Sequence, residues 1–220
     1  MAGQVLVVPP NVAEVLAPIE RHLHPGALLI VISGPSGAGK DSVVRRMRKL
    51  DHPFHFVVTT TDRSPRPGEE NGVDYHFVTT AEFKRMIAND ELFEYALVYG
   101  QYKGVPKAQV HQALSSGIDV IMRLDVQGAA TMRRLVPQSL SIFLVPPSLD
   151  VLIDRLCRRE GDSPEQLQKR LETALAEMNC FEEFEYLVIN REGRLDEAVE
   201  QIAAIIKAEK CRVVRRQPLG

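Results

Sequence analysis

Apolar runs of strand length alternate along this chain with stretches whose apolar residues recur every three or four positions. Ala27 to Ser33 reads ALLIVIS, with no polar residue before Ser33. Such a run fits a strand buried on both faces, as in a parallel sheet. Asp119 to Val126 and Leu140 to Val145 share that character, and Phe54 to Thr60 and Tyr186 to Asn190 read as further strands. Helices are predicted from Lys40 to about Leu50, Pro106 to Ser116, Leu149 to Arg159 and Leu195 to about Lys210. Another begins after a polar break at Glu160 to Asp162. Ser163 is its natural N-cap, Pro164 suits the first helical position, and Gln166 stands where a capping box needs it. Leu167, Leu171, Ala174, Leu175 and Met178 then share one apolar face.

This alternation predicts an α/β fold, a parallel sheet flanked by helices. Residues 59–107 interrupt it. Asp62 to Gly72 has the composition of a loop, Val73 to Val78 and Leu92 to Tyr99 read as short strands, and a helix from Thr80 to Asn89 lies between them. The segment is read as a lobe inserted at the carboxyl end of the sheet. Residues 1–26 form a lead-in, with a short helix near Val12 to Leu23 limited by Pro18, and residues 208–220 form a frayed tail.

Composition adds exclusions. The chain has 220 residues and a net charge of −2, so one domain with an inserted lobe is expected, and no global field draws it to nucleic acid or an anionic membrane. Its arginine clusters, Arg45 to Lys49 and Arg155 to Arg159, read as solvated helix faces. The three cysteines match no zinc spacing and suit a reducing compartment. No apolar run is long enough to span a membrane, and residues 1–26 have the profile of neither a signal nor a transit peptide. The cytoplasm is therefore the expected location.

The candidate chemistry starts at GPSGAGKD. Gly34, Pro35, Ser36, Gly37, Ala38, Gly39 and Lys40 satisfy G-x-x-x-x-G-K after a buried strand and before a helix. Glycines let the backbone wrap a phosphate, successive N–H groups and the helix N-terminus point at the anion, and Lys40 reaches the outer phosphates. The next residue should carry a hydroxyl for Mg²⁺, yet it is Asp41. A carboxylate is also a hard oxygen ligand, but it adds negative charge beside a polyphosphate. Downstream, Arg63 and Arg66 flank Pro65 on a stiff loop and suit capture of a phosphate group. Glu94 could accept from the N–H edge of guanine, which adenine lacks, and Lys103 follows nearby.

With these pieces in order, the sequence resembles guanylate kinase. The strings GPSGAGK, RSPRPGEENGVDYHFV, ELFEYALVYG, LDVQGA, SIFLVPPSL and the closing LVIN carry the likeness over most of the chain. The resemblance implies a P-loop nucleoside-monophosphate kinase with a core at 27–58, 108–154 and 173–207, a GMP-binding lobe at 59–107 and a lid at 155–172. It implies Mg²⁺-dependent transfer from ATP to GMP, extending to dGMP, by a monomer or homodimer. Arg63, Arg66, Tyr75 and Lys103 would hold the acceptor phosphate, and Thr59 and Glu94 would read guanine. Arg159 and Arg170 would close from the lid, Asn190 would lie near adenine, and Asp125 would serve the acceptor site and the metal with Asp41. Two other readings stay open at this point: a phosphopeptide-binding module built on the same lobe, and a kinase for another phosphorylated acceptor.

The departures from the family pattern are concentrated in charge. Asp41 replaces a hydroxyl and Arg123 a strand acid; in QYKGVP, read as a turn, Lys103 replaces a Tyr and Val105 a Ser or Thr; and Asp62 replaces a Thr. A similar set occurs in the plant organellar form of the family. Asp41 and Arg123 could pair, preserving local charge, or Asp41 could meet Mg²⁺ while Arg123 meets substrate.

Overall fold

The computed structural model describes residues 11–20, 25–98, 100–158 and 163–214, with only the backbone of Val12, Pro18 and Val98. A helix α1 spans Val12–Glu20. The core is a parallel sheet of β1 (Leu29–Ser33), β2 (His55–Phe56), β7 (Val120–Arg123), β8 (Leu140–Val145) and β9 (Tyr186–Ile189), ordered β2-β7-β1-β8-β9. Helices α2 (Lys40–Met47), α4 (Lys107–Ser115), α5 (Val126–Leu135), α6 (Leu149–Cys157), α7 (Pro164–Met178) and α8 (Leu195–Lys210) surround it.

The continuous apolar run at β1 has its cause here. Ile30 and Ile32 face one side, packed with Val43 and Met47 of α2 and Val199, Ile202 and Ile206 of α8. Leu29 and Val31 face the other, against Val110 of α4 and Ala129 and Met132 of α5. With both faces covered, a polar alternation would bury unpaired groups.

The inserted lobe is a second sheet, β4-β3-β6-β5, made of β3 (Thr60–Thr61), β4 (His76–Phe77), β5 (Leu92–Val98) and β6 (Gln101–Pro106), with helix α3 (Thr80–Ala88). Four expectations change. The run Phe54 to Thr60 is two strands, one in each sheet, because the chain leaves the core after Phe56. Val73 to Val78 contracts to β4, since Asn71 to Tyr75 folds into turns. QYKGVP, read as a turn, is the central strand β6, paired with both β3 and β5. The run Asp119 to Val126 ends as a strand at Arg123, and the unforeseen helix α5 begins at Val126, capped by Asp125.

The helix after the break starts as the sequence indicates. Ser163 Oγ accepts from the Gln166 N–H, and the Gln166 side chain accepts from the Ser163 N–H, closing the capping box.

Candidate active site

The phosphate loop is fixed by contacts that leave no room for side chains. A Cβ on Gly34 (φ 141°) would lie 2.1 Å from the Leu144 carbonyl oxygen, and one on Gly39 (φ 91°) would lie 2.3 Å from Asn190 Nδ2. Both residues hold backbone conformations that L residues rarely adopt. A Cβ on Gly37 would meet Leu152 and Leu156 of α6, so the loop is packed directly under that helix. Asn190 Nδ2 donates to the Ala38 carbonyl at 2.9 Å, and Asn190 is buried. It braces the loop from beneath.

Lys40 folds back over this loop, its Nζ donating to the Gly34 carbonyl and, at 3.0 Å, to that of Pro35. Burial lowers its pKa, and Glu177, Asp41 and Asp125 oppose that shift. The ammonium is thus stored at the loop with acidic groups around it. Glu177, on α7, accepts from the Ser36 N–H at 3.1 Å. Burial raises its pKa, and Lys40 counters this. Arg170 Nη2 reaches Ser36 Oγ at 3.4 Å, and Arg155 donates to Asn190 O at 3.0 Å and Ala38 O at 3.4 Å. Helices α6 and α7, joined through Leu152, Leu156 and Ala174, therefore set two arginines and a carboxylate on the loop. Arg159 lies outside the described residues.

In the lobe, Arg63 is buried and its two Nη atoms each meet a Glu69 oxygen at 2.6 Å. Its Nη1 also donates to Ser64 O. This charge-assisted fork holds the Glu69 carboxyl below the usual range and raises Arg63. Glu69 accepts from the Arg66 N–H as well, which fixes the loop between the two arginines. The Arg63 guanidinium lies 4.8 Å from the Tyr75 ring centroid and 5.4 Å from that of Phe77. Thr59 is buried where the chain enters β3. Glu94 is buried on β5, and a Cβ on Gly128 would lie 3.3 Å from its Oε1, so α5 presents bare backbone to the carboxylate. Burial, and then Asp125, push the Glu94 pKa up to about 7, while Lys103 pulls it down.

The two halves are joined by the substituted residues. Asp41, in the first turn of α2, accepts from Arg123 Nη1, and the Arg123 guanidinium lies 5.0 Å from the Tyr75 centroid. The ion pair that the sequence allowed between Asp41 and Arg123 is formed. The other departures have physical reasons too. Asp62 accepts from the Tyr102 N–H at 2.7 Å and from Thr80 Oγ1 at 2.8 Å, tying β3 to β6 and to α3. Val105 is fully buried in the core beside Val57 and Val110, where a hydroxyl would lack water. Asp125 Oδ1 accepts from the Gly128 N–H at 2.8 Å.

The donor chemistry suits Mg²⁺. That ion takes hard oxygen ligands and in kinases binds through one or two carboxylates plus substrate phosphates. Asp41 and Asp125 are both close enough to act electrostatically on Lys40.

Sequence reasoning passed over Glu69 and Glu177 and read Arg155 as part of a solvated helix face, whereas it is half-buried and bonded to the loop. Glu69 was visible as the acid three residues after Arg66 on the stiff loop. The other two are surface-pattern helix residues whose place on the loop depends on tertiary packing.

A strand-loop-helix phosphate cradle on a parallel sheet, facing a guanidinium-lined lobe, defines a P-loop phosphotransferase. The guanylate kinase family profile matches residues 27–209. The chain belongs to the guanylate kinase family and is an enzyme of that activity. It is 46% identical over 205 residues to guanylate kinase 2, chloroplastic/mitochondrial, of Oryza sativa subsp. japonica, covering 93% of this chain and 70% of that one. It is 41% identical over 194 residues to guanylate kinase of Clostridium perfringens, covering 88% and 89%. Among solved structures, guanylate kinase from Anaplasma phagocytophilum superposes with a TM-score of 0.70 at 28% identity, over 86% of this chain and 88% of that one.

Proposed function

We propose that this geometry carries out ATP + GMP → ADP + GDP as follows. Loop amides from Gly37 to Asp41 and the α2 N-terminus receive the donor phosphates, and Lys40 leaves its carbonyl partners to follow them. Thr59 and Glu94 accept the guanine edge. Arg66, Lys103 and the Tyr75 hydroxyl hold the acceptor phosphate, with Arg63 adding charge from its Glu69 clamp. An acceptor phosphate oxygen attacks the donor γ-phosphorus, and the bond to the β–γ bridging oxygen breaks with its electron pair leaving on ADP. Arg170, beside Ser36, and Arg159 neutralise charge on the transferring group, and Asn190 and Arg155 fix the loop's nucleotide side. Asp41 and Asp125 would hold Mg²⁺, which supplies charge neutralisation at the phosphates. Phosphoryl transfer needs this positioning and neutralisation more than a covalent group. Residues 155–172 act as the lid, and we place the enzyme in the cytoplasm.

The observation that carries the reading is the contact of Asp41, at the phosphate loop, with Arg123, which lies on Tyr75 of the lobe. Donor and acceptor machinery meet there. A coupled ADP-release assay tests it, run with GMP, dGMP, AMP, UMP and CMP, with and without Mg²⁺. GMP and dGMP should turn over only with Mg²⁺; no turnover of GMP under any metal condition would refute the reading.

A further inference from the structure

Two arginines lie over the ring of Tyr75, and they differ in what else they hold. Arg63 is clamped: both Nη atoms donate to the Glu69 carboxylate, and Nη1 also donates to Ser64 O. Arg123, at the end of β7, gives one Nη to Asp41 and rests 5.0 Å from the ring centroid. A guanidinium carries five N–H donors in a planar fork, so one carboxylate contact leaves capacity for a second anion. More cations converge on the same place. Burial lowers the Lys103 ammonium, Asp125 opposes that, and Arg123, Arg63 and Arg66 lower it further. Such a gathering of positive groups is costly until an anion enters.

We propose that Arg123 is a phosphate-binding residue of the acceptor site and that Asp41 is its positioning residue, holding the fork over Tyr75. The proposal rests on the guanylate kinase reading and extends it to two residues. In this arrangement the carboxylate at the loop orients a cation for the acceptor, whatever it also does for the metal. The acceptor phosphate then bonds to N–H groups of Arg123 that Asp41 does not occupy.

Isothermal titration of the full chain in EDTA, with no donor nucleotide, tests this without involving metal. GMP and guanosine are titrated into wild type, Arg123→Met, Arg123→Lys, Asp41→Asn and the Asp41→Asn/Arg123→Met double variant. Arg123→Met should weaken GMP by about tenfold or more, the loss expected for one charge-assisted hydrogen bond, and leave guanosine within about twofold. Arg123→Lys, which keeps the charge but not the fork, should fall between. Asp41→Asn should weaken GMP several-fold and cost nothing more in the double variant, because Asp41 acts through Arg123. GMP affinity unchanged in Arg123→Met, or lost in step with guanosine, overturns the phosphate role. Additive losses in the double variant, or tighter GMP in Asp41→Asn, overturn the positioning role. Wild type that binds neither ligand refutes the acceptor reading itself, and this proposal with it.

Discussion

Glu94 must be ionised to accept both N–H groups of guanine, yet burial pushes its pKa up to about 7. At neutral pH roughly half of the empty enzyme therefore carries a protonated Glu94, which offers an O–H donor where an acceptor is needed. Binding selects the ionised half, so the apparent dissociation constant scales as 1 + 10^(pKa − pH). Between pH 8 and pH 6 that factor grows about tenfold. The titration should use guanosine, because a phosphate monoester ionises near pH 6 and would add its own slope. Stability moves with the same group. Below about pH 4.5 the carboxyl is protonated in both folded and unfolded chains and contributes no difference. As pH rises to about 7, the unfolded chain ionises first and stability falls. Above that, the shift from 4.5 to about 7 is a penalty of about 3 kcal/mol. Glu94→Gln removes the charge at nearly constant shape. It should bind guanosine weakly with no pH dependence from 6 to 8, and should unfold in urea at higher concentration than wild type at pH 8 but not at pH 4.5. Guanosine affinity that is flat from pH 6 to 8 in wild type, or a pH slope that survives in Glu94→Gln, would refute the argument.

Two other perturbations test the frame. Gly39→Ala must place a Cβ 2.3 Å from Asn190 Nδ2 at positive φ, so ADP binding by calorimetry should fall by more than about 100-fold while the core still folds. Lys210 Nζ pairs at 2.7 Å with Asp119, a buried carboxylate whose other oxygen accepts from the Leu28 N–H. Lys210→Met should cost about 3–5 kcal/mol in urea unfolding, since it strands a buried charge, and Asp119→Asn in that background should recover part of it.

The β1-loop-α2 unit could be read directly because each of its signals is local: an apolar run, glycines at fixed spacing and a lysine opening a helix. The α7 start was legible for the same reason. Helix α5 was hidden because its N-cap, Asp125, follows an apolar strand without a break, and Val126 extends the apolar run into the first helical turn. Strand β6 was hidden although one partner, β5, directly precedes it; the other is distant, with Lys103 opposite Thr61 as well as Ala96. Gly104, which suggested a turn, is instead required by crowding, as a Cβ there would come within 2.9 Å of both Phe83 and Leu92. The chemistry at Glu177 and Arg155 depends on how α6 and α7 dock on the loop, which no local pattern encodes.

The lobe leaves the core between Phe56 and Thr60 and returns where β6 ends at Pro106 and α4 begins. At that crossing the Gln109 amide clasps the backbone of Val58, accepting from its N–H at 3.1 Å and donating to its carbonyl at 3.2 Å. A side chain of the returning strand's helix thus stands in for a neighbouring strand at the departing one. The outgoing and incoming chains are held together there and again by the β3–β6 pairing, so the base of the lobe is tied to the core on both sides of the crossing. A neutral amide, set apart from the charged groups on which the chemistry depends, thus helps to join the lobe to the core.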